Sequence, residues 1–322
     1  MNDSAQPLIS VVIPMYNEAE NAATTLKRVA ETLAGLDYEL LPVNDGSTDA
    51  TAAELERLAA ADARIRPQGY GVNAGRGRAL RTGFAAARGT YVASIDADLS
   101  YEPEYILRMV ETLEAEPEVD LVLASAYMPG GAAEGVPFKR LWLSRLGNKV
   151  LNLSMSENIY TSTCVVRCYR RFVLDCLDLE SDGKEIHLEV LSRALAMGFR
   201  VREIPAVLRS RKLGKSKFAF GTTASSHLLF TVLERPMLLF GLLGAVLSLV
   251  GVLMAVAILI MFAQGTLNPD RPLITVMLLF VLGGMQILSL GFLAAQMTYL
   301  RKEILKIRRS LARYALKGSD HV

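Results

Sequence analysis

Short apolar runs alternate with amphipathic stretches along the first two thirds of the chain. Apolar runs at residues 8–14, 38–43, 91–95 and 121–124 predict buried strands. Apolar side chains recur at helical spacing around Leu26, Val29 and Leu33, around Leu55 and Leu58, and within residues 75–87, 104–113 and 186–196. Residues 130–180 are less regular, and residues 200–208 predict a short pair of strands. The alternation predicts an α/β domain with a mostly parallel sheet, whose ligands bind outside the carboxyl ends of the strands.

Two longer apolar runs follow near the end of the chain, at residues 237–263 and 274–300. Neither contains a charged residue, and each is long enough to cross the roughly 30 Å hydrocarbon core of a bilayer as a helix. They account for a composition that is 51% hydrophobic with a positive mean hydropathy, although 21% of the residues are charged. Two buried core helices are the alternative, but runs longer than about 18 apolar residues favour membrane spans.

The distribution of positive charge predicts how these spans are oriented. The connector at 264–272 is short enough for a tight turn, so both flanks lie on one side of the membrane. Basic residues concentrate after the second span, whereas the connector contains only Arg271. Because Lys and Arg favour the cytoplasmic side, we expect an integral protein of a cytoplasmic or inner membrane with both termini in the cytoplasm. The expected parts are a cytoplasmic domain (1–225), an interfacial amphipathic segment (226–236), a two-helix anchor (237–300) and a basic tail (301–322).

Composition also bears on partners. The chain has no stripe of interleaved basic and aromatic residues, so nucleic acid is not an expected partner. Cys164, Cys168 and Cys176 form no CxxC pair and have no His at metal-ligand spacing, which indicates reduced structural thiols. Glycines in the two spans permit helices to pack closely against each other. If the helices belong to different copies of the chain, such packing would form a homo-oligomer. They are Gly241, Gly244, Gly251, Gly283, Gly284 and Gly291.

Asp96-Ala97-Asp98 closes the strand at 91–95, and residues two apart at a strand end can both point out of the sheet. Two close carboxylates repel each other unless a cation lies between them. A hard divalent cation, Mg²⁺ or Mn²⁺, also bridges phosphate oxygens, so the pair predicts a site for a metal ion and a diphosphate. The alternative is a solvated turn, and the position directly after a buried strand favours the metal site.

Polar clusters also follow the first two strands, PMYNE at 14–18 and NDGSTD at 44–49. Ser, Thr and Asp are good helix N-cap residues, so we expect one residue of the second cluster to cap a helix. Asp45 precedes the glycine of the turn and is not needed for capping. Its carboxylate is therefore a candidate acceptor for hydrogen bonds from a base ring.

In combination, these motifs resemble the family 2 glycosyltransferases of GT-A fold. The matching elements are PMYNE, NDGSTD, NAGRGRALRTG at 73–83, DADLS at 96–100 and RKLGKSK at 211–217. Within the family, the paired spans resemble those of the polyprenyl (dolichyl) phosphate mannose and glucose synthases. The resemblance covers residues 8–220 and, with the spans, nearly the whole chain. It implies a Rossmann-like GT-A nucleotide-diphospho-sugar transferase domain followed by two C-terminal transmembrane helices.

The resemblance also implies roles for individual residues that meet the donor. The nucleotide sugar is expected on Pro14, Tyr16, Glu18, Asp45, Arg76 and Asp96, and the metal ion on Asp96 and Asp98. Asp98 is assigned to catalysis together with Arg211 and Lys217, whose charges would stabilise the leaving diphosphate. Arg76 lies in a Gly-Arg-Gly turn, where the alternative is a phosphate-binding P-loop, but the GxxxxGK[ST] spacing is absent.

Arg140 and Ser144 resemble the residues that receive the acceptor's phosphate. They are four apart on an expected helix and so share one face, although an ordinary exposed face is the alternative. Three positions depart from the family's pattern: Thr161 stands where many members have Asp, Ala126 where they have Arg, and Ser100 where they have Gln. A phosphate monoester has a second pKa of about 6, so its oxygen can attack without a carboxylate base. A hydroxyl acceptor would depend more on the missing carboxylate.

The resemblance therefore implies inverting transfer of a hexose, of the mannose or glucose type, from a GDP- or UDP-linked donor to a polyprenyl phosphate. The reaction would take place at the cytoplasmic membrane face with Mg²⁺ or Mn²⁺. Two alternatives stay open: a glycosyltransferase that acts on a hydroxyl acceptor in cell-surface polysaccharide or glycolipid synthesis, and a catalytically silent membrane scaffold. Trp142 does not lie in the QxxRW-like segment of polysaccharide-making enzymes, while Thr161 and Ala126 keep the scaffold open.

Overall fold

The computed structural model describes residues 6–135, 159–209, 237–266 and 272–319. The chain divides into two compact units, Ser225–Ile304 and the remainder. Arg140, Ser144, Arg211 and Lys217 lie outside the described residues, as does the expected interfacial segment at 226–236.

The described part of the first unit alternates strands and helices. In chain order these are β1 (Ile9–Met15), α1 (Ala19–Thr32), β2 (Tyr38–Asp45), α2 (Thr51–Ala61), β3 (Gln68–Tyr70), α3 (Arg76–Ala86), β4 (Tyr91–Ser94), α4 (Glu104–Ala115), β5 (Leu121–Ser125), β6 (Ala132–Glu134), β7 (Arg167–Arg170), α5 (Arg171–Cys176), α6 (Ile186–Ala196), β8 (Val201–Pro205) and β9 (Val207–Arg209). Every strand and helix that the apolar pattern predicts up to residue 124 is present. The pattern missed β3, β6 and β7, which are three or four residues long.

Seven strands form one sheet in the order β3-β2-β1-β4-β7-β5-β8. All neighbours pair in parallel except β7, which runs antiparallel to both β4 and β5. The predicted mostly parallel α/β sheet is therefore confirmed. Residues 200–208 do form two strands, but these strands do not pair with each other as expected. β8 joins the main sheet, whereas β9 pairs with β6 in a second, two-stranded sheet.

The helices pack tightly on a sheet that is buried on both faces. β1 and β2 are almost completely buried, as expected for strands of a parallel sheet covered by helices. α3 approaches β1 closely, since a Cβ atom on Gly83 would lie 2.2 Å from Cγ1 of Val12. A glycine is needed at this point, because any side chain would push the helix off the sheet.

The order of the strands reverses beside β1. The chain builds β1, β2 and β3 in one direction across the sheet and then returns to place β4 on the other side of β1. At such a reversal the connections on either side diverge, and ligands bind at the carboxyl ends of the strands. The segments that follow β1, β2 and β4 all meet there.

The described part of the second unit consists of apolar helical segments, and the last helix continues beyond the unit. After a π-helical turn at Met237–Gly241, α7 spans Leu242–Ala263 and α8 spans Leu273–Ser319. Leu239–Ala263 and Leu273–Arg301 are long and apolar enough to cross a membrane, and few of their residues are buried within the protein. The two apolar spans predicted from the sequence are therefore present as helices, and α8 continues into the basic tail.

Glycines let α7 and α8 approach each other closely. A Cβ atom on Gly244 would lie 2.9 Å from the carbonyl oxygen of Gly284, and one on Gly251 would lie 2.9 Å from the amide nitrogen of Val281. Gly283, by contrast, has no atom within 4 Å of such a position. Several of the glycines expected to favour packing are thus used inside the chain, and the homo-oligomer stays a prediction.

A buried carboxylate holds the amino ends of the strands together. Glu39 of β2 is 5% exposed, and its Oε1 accepts hydrogen bonds from Ser10 Oγ and from the N–H of Arg88, both at 2.7 Å. Its Oε2 pairs with the guanidinium groups of Arg66 and Arg88. Burial alone would raise the pKa of Glu39, but the hydrogen bonds from Ser10, Arg66 and Arg88 outweigh it and hold the pKa below its usual value.

We expect Glu39→Gln to lower the free energy of unfolding by about 2 kcal/mol at pH 7, because Arg66 and Arg88 lose their charged partner. A carboxylate whose folded pKa is lowered contributes stability above its unfolded pKa, and this contribution is lost as the pH falls through the folded pKa. The wild-type protein should therefore lose stability below about pH 5, and the variant should lose less. Urea unfolding of the detergent-solubilised chain, followed by circular dichroism from pH 3 to 8, measures both. Glu116→Gln, which removes a more exposed carboxylate paired with Arg202, serves as the control; equal slopes for wild type and Glu39→Gln would contradict the assignment.

Candidate active site

The turns that follow β1 and β2 are bound to each other at the carboxyl edge of the sheet. The N–H of Asn17 donates to Ser47 Oγ at 3.0 Å, and the N–H of Thr48 donates to Asn17 Oδ1 at 2.8 Å. Asn17 has φ 52°, a left-handed conformation that Asn tolerates better than most residues. Pro14 lies in β1, and Tyr16 and Glu18 follow in the turn after it. Three of the residues that are expected to bind the nucleotide sugar therefore lie at this edge.

Asp49 carries the capping role that the sequence predicted for the NDGSTD cluster. Its carboxylate accepts the N–H of Thr51 at 3.0 Å and the N–H of Ala19 at 3.3 Å, which are the first residues of α2 and α1. Burial would raise the pKa of Asp49, but the hydrogen bonds from Thr51 and Ala19 outweigh it and lower the pKa. The group therefore stays ionised at neutral pH and stabilises the start of both helices.

Asp45 is anchored by donors from the loop that leads to α3. Its Oδ1 accepts hydrogen bonds from Tyr70 Oη at 2.8 Å and from the N–H groups of Ala74 at 2.9 Å and Gly75 at 3.0 Å. Its Oδ2 accepts one from Asn73 Nδ2 at 2.9 Å. Asp45 is 5% exposed, so its carboxylate mainly faces protein donors and fixes the 70–75 loop.

Tyr70 and Gly46 keep this loop against Asp45. Burial, and then the hydrogen bond to the Asp45 carboxylate, raise the pKa of Tyr70, so its hydroxyl stays protonated and donates. Gly46 has φ 62°, and a Cβ atom there would lie 2.3 Å from the amide nitrogen of Asn73. Glycine is required at 46 by both its conformation and the close approach of the loop.

The 70–75 loop places Arg76 next to Asp96, which follows β4. Arg76 begins α3, and its Nη2 lies 3.2 Å from Oδ1 of Asp96. The N–H groups of Gly77 and Arg78 donate to the carbonyl oxygen of Asp182, at 2.7 and 3.2 Å. Because these N–H groups are already bonded, the start of α3 is not a P-loop phosphate cradle, in agreement with the missing sequence spacing.

Asp96 and Asp98 lie in a tight turn after β4, residues 96–100, which we term the acidic turn. The N–H of Leu99 donates to the carbonyl oxygen of Asp96 at 3.3 Å, and the N–H of Ser100 donates to Asp98 Oδ1 at 3.0 Å. Leu99 has φ 49°, a conformation that costs free energy for a residue with a side chain. Its side chain packs against the buried core, which holds the strained turn in place.

The acidic turn fits a metal ion that is shared with a ligand. Among the described residues, no group of three or more His, Cys, Asp or Glu side chains is placed to hold a metal ion. Mg²⁺ and similar ions are commonly held by one or two carboxylates together with substrate phosphates and water. Asp96 and Asp98 match that pattern, in which a phosphate ligand completes the coordination.

Thr161, at the position where many family members have Asp, lies in the loop that leads to β7. It is buried, its hydroxyl shares a 2.8 Å hydrogen bond with Ser125 Oγ, and its N–H donates to Glu203 Oε1 at 2.8 Å. Glu203 Oε2 accepts the N–H of Tyr160 at the same distance. Glu203 thus fixes the loop that carries Thr161, a role that sequence reasoning missed because one Glu in a strand of the pattern VREIP carries no distinguishing signal.

A buried arginine completes this loop. Arg167 of β7 is fully buried and donates to the carbonyl oxygens of Ser162 and Cys164, each at 2.7 Å, and of His187 at 2.8 Å. Burial raises the pKa of both Cys164 and Cys168 to about 12, so both thiols stay neutral and unreactive, as the cysteine pattern predicted.

We expect Asp45→Asn to release the 70–75 loop, because an amide NH₂ would face the N–H donors that the carboxylate now accepts. Exchange of the amide hydrogens of Ala74 and Gly75 should accelerate at least tenfold, which corresponds to about 1.4 kcal/mol of lost protection. Hydrogen exchange read by mass spectrometry measures it. Tyr70→Phe removes one donor and should have a smaller effect; unchanged exchange in Asp45→Asn would show that other contacts hold the loop.

Curated proteins with similar sequences carry related names. The chain is 35% identical over 216 residues to a polyprenol monophosphomannose synthase of Mycolicibacterium smegmatis, a match that covers 65% of this chain and 80% of that protein. It is 32% identical over 296 residues to an undecaprenyl-phosphate 4-deoxy-4-formamido-L-arabinose transferase of Pseudomonas fluorescens, covering 88% of this chain and 83% of that protein. Because the second match covers 88% of this chain, it extends into the apolar helices.

Solved structures and a family model agree with the sheet described above. A glucosyl-3-phosphoglycerate synthase from Mycobacterium tuberculosis, solved with Mn²⁺, UDP and phosphoglyceric acid, superposes with a TM-score of 0.55 at 21% identity and covers 72% of this chain and 79% of its own. The predicted GT-A fold is thereby confirmed. The model of glycosyl transferase family 2 matches residues 10–178, more than half of the chain. This chain is therefore a glycosyltransferase that belongs to glycosyl transferase family 2.

Proposed function

We propose that the protein transfers a hexose from a nucleoside diphosphate sugar to a polyprenyl phosphate at the cytoplasmic face of a membrane. The observation that carries the proposal is the position of the acidic turn at the reversal of strand order, where Asp96 pairs with Arg76. In this chain the turn is combined with two apolar helices that are long enough to cross a membrane. Relatives named as polyprenol and undecaprenyl phosphate transferases support a lipid phosphate as the acceptor.

The donor is assigned to the carboxyl edge of the sheet. The base and ribose, of GDP or UDP type, lie against the turn with Pro14, Tyr16 and Glu18. Asp45 contributes by fixing the 70–75 loop beside them, since its own oxygens already accept protein hydrogen bonds. The structural neighbour was solved with Mn²⁺ and UDP, which supports a nucleoside diphosphate and a divalent metal ion as ligands of this fold.

The diphosphate end of the donor is assigned to the acidic turn. Asp96 and Asp98 would hold Mg²⁺ or Mn²⁺ together with the diphosphate oxygens, and the ion would supply charge stabilisation for the leaving group. Arg76 balances the charge of Asp96, 3.2 Å away. Arg211 and Lys217, outside the described residues, are the further cations proposed to meet the diphosphate.

The acceptor brings its own charge to the reaction. An oxygen of the lipid phosphate attacks the anomeric carbon from the face opposite the diphosphate, the bond from that carbon to the diphosphate oxygen breaks, and the configuration inverts. A phosphate monoester is largely ionised at neutral pH, so no proton has to be removed from it. The hydroxyl at Thr161 and the engaged carboxylate of Glu203 support this self-activated mechanism, because neither is arranged as a free base. Arg140 and Ser144 are proposed to hold the acceptor phosphate.

The apolar helices are assigned to the membrane. They keep the reacting groups near the headgroups, where the phosphate of a long prenyl chain lies. The basic residues that follow Leu300 favour a cytoplasmic position for the tail and the enzymatic domain. A hydroxyl acceptor and a silent scaffold are the alternatives, and the experiment below separates them.

The full chain in lipid nanodiscs is incubated with radiolabelled GDP-mannose or UDP-glucose, Mg²⁺ or Mn²⁺, and either polyprenyl phosphate or polyprenol. We expect label to enter the phosphate acceptor alone. Asp98→Ala should lower the rate at least 100-fold, because it removes a ligand of the catalytic metal ion, whereas Asp62→Ala at an exposed ion pair with Arg64 should not. Transfer to polyprenol would favour the hydroxyl acceptor, and no transfer with any donor would favour the scaffold.

The self-activated mechanism predicts that Arg140 matters far more than Thr161. Arg140→Ala leaves the acceptor dianion without a charged partner, which costs about 2–4 kcal/mol, or roughly 30- to 1000-fold in kcat/KM. Thr161→Ala removes a neutral hydrogen bond to Ser125 and should cost about 1 kcal/mol or less. The measurement is kcat/KM for polyprenyl phosphate at neutral pH; a larger loss in Thr161→Ala would rule the mechanism out.

A further inference from the structure

The two-stranded sheet lies directly beside the acidic turn. β6 and β9 pair in parallel, with Glu134 opposite Arg209. Two hydrogen bonds fix β9 to the acidic turn and to α4: the N–H of Arg209 donates to the carbonyl oxygen of Ser100, and the N–H of Val207 donates to Tyr105 Oη, both at 2.8 Å. The position of this two-stranded sheet, which we term the small sheet, is therefore fixed relative to the acidic turn.

The side chain of Arg209 adds a second connection between the same parts. Its guanidinium pairs with Glu102, two residues beyond the acidic turn, and with Glu134 at the end of β6, where Nε lies 3.4 Å from Oε2. A guanidinium presents several donors in one rigid plane, so it can hold two carboxylates at a fixed angle. Without it, Glu102 and Glu134 would meet as like charges.

Two residues of the proposed site, one for the acceptor and one for the diphosphate, follow shortly after β6 and β9 in the sequence. Arg140 follows Glu134 by six residues, and Arg211 follows Arg209 by two. Because β6 and β9 are parallel neighbours, the chain leaves both strands at the same end of the small sheet. The small sheet is thus close in sequence to the groups proposed for the acceptor and for the leaving diphosphate.

We propose that Arg209 is a positioning residue, whose ion pairs with Glu102 and Glu134 fix the small sheet against the acidic turn and so hold the proposed metal-binding carboxylates, Asp96 and Asp98, in place for the diphosphate. The inference rests on the proposed function, which assigns those residues. Exposed ion pairs add little to stability, so the effect of Arg209 is on geometry. A displacement of about 1 Å in a reacting group can lower a rate by roughly 100-fold.

The test compares Arg209→Ala with wild type in nanodiscs. We expect kcat to fall by roughly 10- to 100-fold, with KM for the donor unchanged. The melting temperature should fall by no more than about 3 °C. Arg209→Lys should recover part of kcat, because the ammonium restores the charge but not the planar pair of donors.

Arg202→Ala is the matched control. Arg202 of β8 pairs with Glu116 at 3.0 Å, and the two side chains are 55% and 31% exposed, compared with 42% and 45% for Arg209 and Glu102. The Arg202→Ala substitution removes one positive charge and one ion pair, as Arg209→Ala does, but at a position away from the small sheet. We expect its kcat to equal that of wild type.

A second assay separates the inference from the proposed acceptor. Metal-dependent hydrolysis of the donor by water needs no lipid, so it reports on the alignment of the diphosphate alone. If wild type hydrolyses the donor but transfers nothing to polyprenyl phosphate, the proposed acceptor fails, while a slower hydrolysis in Arg209→Ala still supports the inference. Undiminished kcat in Arg209→Ala, an equal loss in Arg202→Ala, or a loss that follows a large drop in melting temperature overturns it.

Discussion

Parallel pairing of β1 with β2 on one side and β4 on the other is the constraint on which the rest of the structure depends. Parallel strands carry their carboxyl ends to one edge, so the turns after these three strands must share a small volume. Those turns are polar, and each brings a carboxylate. The packing of Gly83 against Val12 keeps the crossover helix α3 close to β1.

The carboxylates at this edge are neutralised in different ways, and this separates their roles. Asp49 accepts the N–H groups that begin two helices, and Asp45 accepts donors from one loop. Asp96 pairs with the guanidinium of Arg76, and Asp98 accepts the N–H of Ser100 in its own turn. The first two carboxylates therefore fix helix starts and a loop of the site, while the last two are those that we propose for the metal ion and the diphosphate.

Apolar patterning predicted the strands and helices up to residue 124, because each buries a continuous face and lies between clear turns. It missed β7, whose sequence RCYR places two arginines in a sheet. Arg167 is tolerated there since backbone carbonyls accept its N–H groups, which is a property of the folded loop and is invisible in the sequence. The site motifs predicted which strand ends meet, but the supporting contacts of Glu203 and Arg209 join residues far apart in sequence and required the fold.

The position of β7 governs the order in which the sheet can be completed. It lies between β4 and β5 but is synthesised after both, so β5 and β8 cannot join the strands β3-β2-β1-β4 until residues 167–170 have left the ribosome. Until then β4 is an open edge, with unpaired backbone groups that another strand can capture. Such long-range closure is slow, and it makes the nascent chain most prone to aggregation shortly before its apolar helices emerge.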